Sequence, residues 1–403
     1  MPERLVAIQV HGNTLTADAD IIRLAGLQPG LPIDEKTLDE AAARLRDAHK
    51  FEHVEVLKRF ASIADPSQIV AVIVVDEGPV TIEPAGTVTA GGDSAPFAAG
   101  VQKRRGLGLM YLPILNFEDG YGFSYGVRVA APEALGKNSR VSVPAAWGGQ
   151  KQIGVTVDQE LGRTITRVQT GVELVRRTNP YFEEHDDRRR VWVRGERDVT
   201  RLLRIGATAD WQHISFFDVA DRMVRAGADV VVDTRLDPML ARNAVYARAA
   251  WDRLAFDTAA DASRTELEAR GYVGLFGQNV LVVRGLRQDS SQPLPPYLSP
   301  LLGGTANLRG FKAGSATGDT LVASSIEWRL PLSSPLSFGK LGVSAFVDAA
   351  TVYDKGERVR RQRFDRGVGG GVWLSVPFLR MNLYVVHGVG HSTRVQFATS
   401  VLF

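Results

Sequence analysis

The stretch "RLLRIGATADWQ" (residues 201–212) puts Leu203, Ile205, Ala207, Ala209 and Trp211 on one set of alternate positions and Arg204, Thr208, Asp210 and Gln212 on the other. A period of two belongs to an extended strand, whose successive side chains point to opposite faces. The rule repeats in "QIGVTVDQEL", where Ile153, Val155 and Val157 oppose Gln152, Thr156, Asp158 and Glu160. It returns in "NAVYARAAWD" (243–252) and in "TELEARGYVGL" (265–275), with Glu266, Glu268 and Arg270 on one side. Two packed sheets would have to bury these rows of charge, each at roughly several kcal/mol. A closed barrel with lipid outside and a hydrated polar lumen satisfies both faces and leaves no sheet edge.

From about residue 107 to the end the period stays at two, and sixteen segments can be counted, from 108–116 to 393–403. Most are long enough for a tilted membrane strand, which needs roughly 9–11 residues. An even number returns both barrel ends to one side of the membrane. The predicted fold is therefore an α+β domain followed by a 16-stranded antiparallel transmembrane β-barrel.

Composition agrees. The 403 residues suffice for a small domain and one large closed architecture. Hydrophobic residues make up 44%, yet no window approaches 18 consecutive apolar residues, which excludes a membrane-spanning helix and leaves a barrel open. The absence of Cys excludes a disulfide framework and any Cys-based metal or redox centre. With 48 basic and 45 acidic residues the balance is too even for a nucleic-acid partner. "DDRRR" (186–190) reads as a solvated loop or strand end. The start, "MPERLVAIQV", lacks the charged and apolar regions of a secretory signal. With a barrel downstream, a trimmed form carrying an added Met is the expected reading.

Residues 4 to 78 follow another pattern. Val6, Ile8 and Val10 alternate; Thr16 is placed to cap a short helix with Ile21, Ile22 and Leu24; and "QPG" (28–30) ends it. Asp34 is placed to cap a second helix, whose Leu38, Ala41, Ala42 and Leu45 form one apolar stripe. Strands at 51–60 and 69–77 follow. The order strand, helix, helix, strand, strand, with "VHGN", "LQPGLPID" and "VIVVDEG", resembles a POTRA domain, the periplasmic polypeptide-transport-associated module. That divides the chain into a POTRA domain (1–80), a linker (81–106) and a barrel of bacterial surface antigen type (107–403).

The longest interval between barrel segments, 287–318, contains "LLGGTANLRGFKAGSATGD" (301–319), glycine-rich around a single Arg-Gly-Phe. A structureless loop of this length is functional or disordered. With one POTRA and sixteen strands before it, the loop resembles that of the BamA/TamA outer-membrane assembly and translocation superfamily, which folds into the lumen with an Arg-Gly-Phe/Tyr tip. Leu308, Arg309, Gly310 and Phe311 match residue for residue. "FVDAA" (346–350) resembles the same superfamily's aromatic-x-Asp-x-Gly motif, with Ala350 where Gly is usual.

A guanidinium inside a barrel needs a carboxylate in fork geometry. Parity on "LGVSAFVDAATVY" turns Ser344, Phe346 and Asp348 inward, so Arg309 is expected to pair with Asp348 beside Phe346. Glu327 and Arg329 also face inward and would extend the network. The final segment, "TRVQFATSVLF", resembles the C-terminal targeting strand of bacterial outer-membrane barrels through Gln396, Ala398, Val401 and Phe403. "VVVDTRLDPMLARNAVYARAAW" (230–251) resembles the superfamily's Asp-Thr-Arg-x-x-Pro turn. The resemblance also implies a labile seam between the first and last strands, where Ala398, Thr399 and Ser400 offer few strong anchors.

No catalytic chemistry emerges. "GFSYG" (122–126) fits the G-x-S-x-G esterase pattern, but an elbow needs a strand, a turn and a helix, and here a strand simply continues. His387 and His391 would lie roughly 13 Å apart along a strand, too far to share a metal. "GVGGGVW" (367–373) lacks the following helix of a phosphate cradle. No enzyme activity, metal or cofactor is expected. The expected location is the bacterial outer membrane with the POTRA domain in the periplasm. The expected partners are outer-membrane lipids and unfolded or extended client polypeptides. The alternative is the membrane anchor and translocator half of a patatin-like lipase autotransporter.

Overall fold

In the computed structural model the N-terminal part forms β1 (Arg4–His11), α1 (Asp18–Ala25), α2 (Glu35–Asp47), β2 (His53–Phe60) and β3 (Gln68–Asp76). The structure describes residues 3–11, 13, 16–48, 51, 53–60, 67–76, 109–162, 165–235, 241–276, 278–332, 340–376 and 379–401. The segment read as a linker lies outside them, as does Phe403. The sheet order is β1-β3-β2, with β1 parallel to β3 and β2 antiparallel to it. Leu38, Ala41, Ala42 and Leu45 of α2 are buried against Ile21, Ile69 and Ile73. Thr16 does not cap α1: the cap position is Ala17, with no side-chain bond, and Gly26 closes the helix at φ 68°. Asn13 instead donates to the Thr16 carbonyl and the Asp18 carboxylate, tying the entry turn from outside the helix.

Asp34 caps α2, accepting from the Thr37 hydroxyl (2.5 Å) and the Thr37 backbone N–H (2.7 Å). Those two bonds hold its carboxyl below the usual carboxylate range. A depressed pKa contributes stability that is complete above the unfolded-state value, about 3.9, and is lost as pH falls through the folded value. Asp34→Ala is therefore expected to speed amide exchange in the first turn of α2 at neutral pH and to change little below pH about 3. Equal protection in the two proteins at neutral pH would remove the cap from the account.

The described part of the second unit begins at Leu109. Its strands are β4 (Met110–Glu118), β5 (Gly122–Pro132), β6 (Ser139–Gly148), β7 (Gln150–Glu160), β8 (Arg167–Thr178), β9 (His185–Asp198), β10 (Leu203–Phe216), β11 (Val219–Asp233), β12 (Ala244–Phe256), β13 (Ala262–Gly274) and β14 (Val280–Ser290). After a long loop, which holds the two-residue strands β15 (Leu301–Leu302) and β16 (Ala316–Thr317), come β17 (Thr320–Leu332), β18 (Lys340–Tyr353), β19 (Asp365–Val376), β20 (Leu379–Gly388) and β21 (Thr393–Val401). Sixteen of these close into one antiparallel barrel, each beside its neighbour in the chain, with β21 returning to β4.

Parity decides which residues meet lipid. Ile153, Val172, Val191, Trp211, Trp251 and Val347 are 42–53% exposed on the outer wall. The partners of opposite parity, Asp210, Gln212, Asp229 and Asp348, are buried in the interior. There the charges neutralise one another across strands. Glu173 meets Arg190, Arg190 and Arg225 share Asp210, and Arg225 and Arg264 reach Asp252, a chain of ion pairs crossing β8 to β13. Arg194 joins Asp229 at 2.6 Å, and Arg248 bonds Glu266.

Most strand ends lie within three residues of the sequence reading, and two differ by more. The fifth segment, expected at 163–175, is β8 from Arg167, and the eleventh, expected at 277–286, is β14, which runs on to Ser290. The extension is possible because Arg287 and Asp289, both on the outer face, pair with each other at 2.8 Å and satisfy their own charge. The long loop is accordingly 291–319. It leaves from the barrel end opposite the one where β4 starts and β21 stops.

Candidate functional site

The loop crosses the lumen from one wall to the other. At its start Leu294, Tyr297 and Leu298 pack on Ile214, Met223, Leu254 and Ala262 of β10 to β13. Tyr297 donates to Asp221 (2.5 Å), and Arg188 donates to the Tyr297 carbonyl (2.6 Å). The tip folds on itself through Asn307, which accepts from the Gly303 N–H and donates to the Leu301 carbonyl. Gly303 and Gly304, at φ 103° and 76°, permit this reversal. Leu308 is fully buried with Leu302, Phe311, Leu321 and Ala350.

Arg309 is held from four directions. Its Nε and Nη2 donate to the two oxygens of Asp348 on β18 at 2.7 and 2.8 Å, a bidentate fork. Its backbone N–H also donates to Asp348, at 3.0 Å. Nη1 donates to Glu327 on β17 at 2.8 Å, and Glu327 accepts from Arg329 at 2.6 Å. Ser325 both accepts from Arg309 and donates to Asp348. The guanidinium lies 3.3 Å from the Phe346 ring centroid, and Tyr384 of β20 stands against that ring edge-on. Every side is filled, and the Arg309 side chain is 8% exposed. Two carboxylates and a face-on aromatic offset the loss of water around one buried cation.

The small residues around the tip are steric requirements. Gly310 has φ 94°, and a Cβ there would press on Val386 at 3.0 Å. A Cβ at Gly367 on β19 would overlap the Arg309 carbonyl oxygen.

Gln396, expected as a polar mark of a targeting strand, holds the tip as well. Its side-chain oxygen accepts from the Gly310 N–H at 2.8 Å, and its amide nitrogen donates to the Phe311 carbonyl at 3.0 Å. The same nitrogen donates to Asp119, at the turn between β4 and β5, at 2.8 Å. One buried amide thus joins the last strand, the first hairpin and the loop. Sequence reasoning missed this role, because the alternation that reveals a strand cannot say which inward residue meets a loop from elsewhere in the chain. Ala398 lies opposite Asn382 of β20, and Val401 ends β21 opposite Leu379.

Between β21 and β4 the described ladder has one partner pair, Thr399 with Phe117, where other adjacent strands run for many residues. Phe117 and Phe397 add a ring contact at 5.6 Å. The turn after β11 is closed by Asp233, which accepts from the Arg235 N–H and pairs with its guanidinium at 2.8 Å. Ser124, in the esterase-like pattern, lies within β5 and accepts from the Gln150 N–H; among the described residues no His approaches it.

Gln396→Ala would orphan the Gly310 N–H, at roughly 1–3 kcal/mol for a buried group, and leave the Phe311 carbonyl with its bond from the Gly304 N–H alone. The expected result is faster tryptic cleavage at Lys312 in the folded barrel. An unchanged cleavage rate would show that Gln396 does not hold the tip.

The barrel and its docked tip define a class: a membrane-type β-barrel whose own loop is pinned in the lumen by an ion pair to the wall. Residues 218–386 match the model of the Omp85 superfamily domain, which supports the resemblance of the barrel to that superfamily. Similar solved structures include BamA from Haemophilus ducreyi lacking POTRA domains 1–3, with a TM-score of 0.63 at 14% identity, covering 99% of this chain and 85% of that one. CdiB from Escherichia coli has a TM-score of 0.53 at 12% identity, covering 100% and 90% of the two chains. CdiB from Acinetobacter baumannii has 0.52 at 12%, covering 99% and 74%. Among curated proteins, none matches in sequence.

Proposed function

We propose that this chain assembles, inserts or translocates polypeptides at the outer membrane, with its N-terminal module acting as a POTRA domain on the periplasmic side. The observation that carries the reading is the Gly310–Gln396–Asp119 linkage: the lumen loop is fastened at the seam where the wall has its fewest described strand bonds. A barrel built only as a static anchor has no need to tie its loop to its weakest joint.

The module supplies a receiving edge. The outer side of β1 is occupied, because Leu5 accepts from the Gly30 N–H and donates to the Leu31 carbonyl. β2 lies at the other edge of the sheet, and a client in extended form would add there through main-chain hydrogen bonds.

The test is the full chain reconstituted in a planar bilayer. The native protein should show a small conductance, and Arg309→Ala a larger one with more frequent openings. Silence from both proteins, once insertion is verified, would overturn the reading of a path through the barrel.

A further inference from the structure

Outward-facing cations gather at the loop end of the barrel. On six strands the outward neighbour of an exposed apolar residue at that end is basic: Lys151 by Ile153, Arg176 by Leu174, Arg189 by Val191, Arg222 by Val224, Arg253 by Trp251 and Arg366 by Val368. Arg287 has a similar place on β14. At the other end the outward positions hold Ile205, Val232, Val245 and Val273, each more than a third exposed. Arg197 is the outward strand cation there among the described residues.

The loop between β18 and β19 adds to this girdle. It carries Arg358, Arg360, Arg361 and Arg363, all exposed, around a short 3₁₀ turn (Val359–Arg361). Among the described residues none of these four meets a carboxylate at ion-pair distance, and neither do Lys151, Arg189 and Arg366. Others in the girdle are paired at the surface, as Arg176 is with Asp187 and Arg253 with Asp261.

We propose that this girdle binds the phosphate-bearing headgroups of the lipid leaflet that surrounds the loop end of the barrel. The inference rests on the membrane reading above and adds to it a lipid class and a side. The cations stand where the apolar band stops, which is headgroup level. They are spread round the circumference, as a surrounding surface requires and a compact ligand does not. On the described strands the outward cations are concentrated at one end, with Arg197 alone at the other, which matches a bilayer whose two leaflets differ in charge. Most are arginines, whose planar fork fits phosphate oxygens two at a time. The attraction of such exposed charges falls away within a Debye length, about 8 Å at physiological salt.

The test uses the full chain folded in micelles of an uncharged detergent, with bisphosphorylated lipid A or the same lipid stripped of both phosphates. The phosphorylated form should raise the unfolding temperature by several degrees and the stripped form should not. The rise should collapse at about 1 M salt, where the Debye length is about 3 Å. Arg358→Gln, Arg360→Gln, Arg361→Gln and Arg363→Gln together touch no strand and should remove much of the rise. Adding Lys151→Gln, Arg189→Gln and Arg366→Gln should remove most of the remainder, while Arg197→Gln alone should leave it intact. Equal stabilisation by both lipids, or a full rise in the four-site variant, would overturn the proposal and leave the membrane reading standing. A chain that folds without detergent and ignores micelles would overturn both.

Discussion

Arg309→Ala is expected to release the loop tip and destabilise the folded barrel by roughly 3–5 kcal/mol, the scale for removing one partner of a buried ion pair. The large value comes from what is left behind. Asp348 and Glu327 would remain buried, 2% and 6% exposed, without the cation that lies between them. Asp348→Ala should cost a similar amount, because Arg309 would then keep Glu327 and lose its fork. The double variant should cost clearly less than the sum, with a coupling of about 0.5–3 kcal/mol for residues in one network. Denaturant unfolding of the four proteins in the same detergent checks this. Strict additivity would mean that the contact contributes nothing to stability.

Gly367→Ala is the steric counterpart. It changes no charge and removes no hydrogen bond, but its methyl would occupy the place of the Arg309 carbonyl oxygen. In a strand without a docked loop, replacing Gly by Ala is neutral or mildly favourable. The expected outcome is therefore a barrel that still folds while its loop is displaced, with rapid tryptic cleavage at Arg309 and Lys312. Conductance should match that of Arg309→Ala. Combining the two substitutions should add little, since both end in the same undocked state. Wild-type protease resistance in Gly367→Ala would show that the tip can shift aside, and that the close approach is not a requirement.

The sixteen strands are legible in the sequence because a membrane barrel has two solvents. Lipid selects residues such as Val191 and Val193, and the lumen selects Arg190 and Arg194, so alternation survives along the whole strand. Strand ends are less legible, since charge at headgroup level interrupts the pattern without ending the strand, as at Arg287 and Asp289. Within the site, Asp348 and Phe346 can be read from parity on one strand. Gln396 and Gly367 cannot be read as contacts of the tip, because their partners are backbone atoms of a loop dozens of residues away. Thr16 shows a further limit: a good capping residue is passed over when the chain turns one residue later.

The carboxylate–arginine chain that crosses β8 to β13 has a mechanical consequence. It braces one arc of the cylinder with cross-links independent of the backbone ladder. The opposite arc, β19 to β21, turns Gly367, Gly369, Gly371 and Ala398 toward its neighbours and, among the described residues, shows no comparable chain of ion pairs. A hoop stiffened on one side yields on the other when loaded. The tip that Gln396 grips therefore sits as a keystone in the compliant arc, and its removal relaxes the wall there while the braced half keeps its curvature.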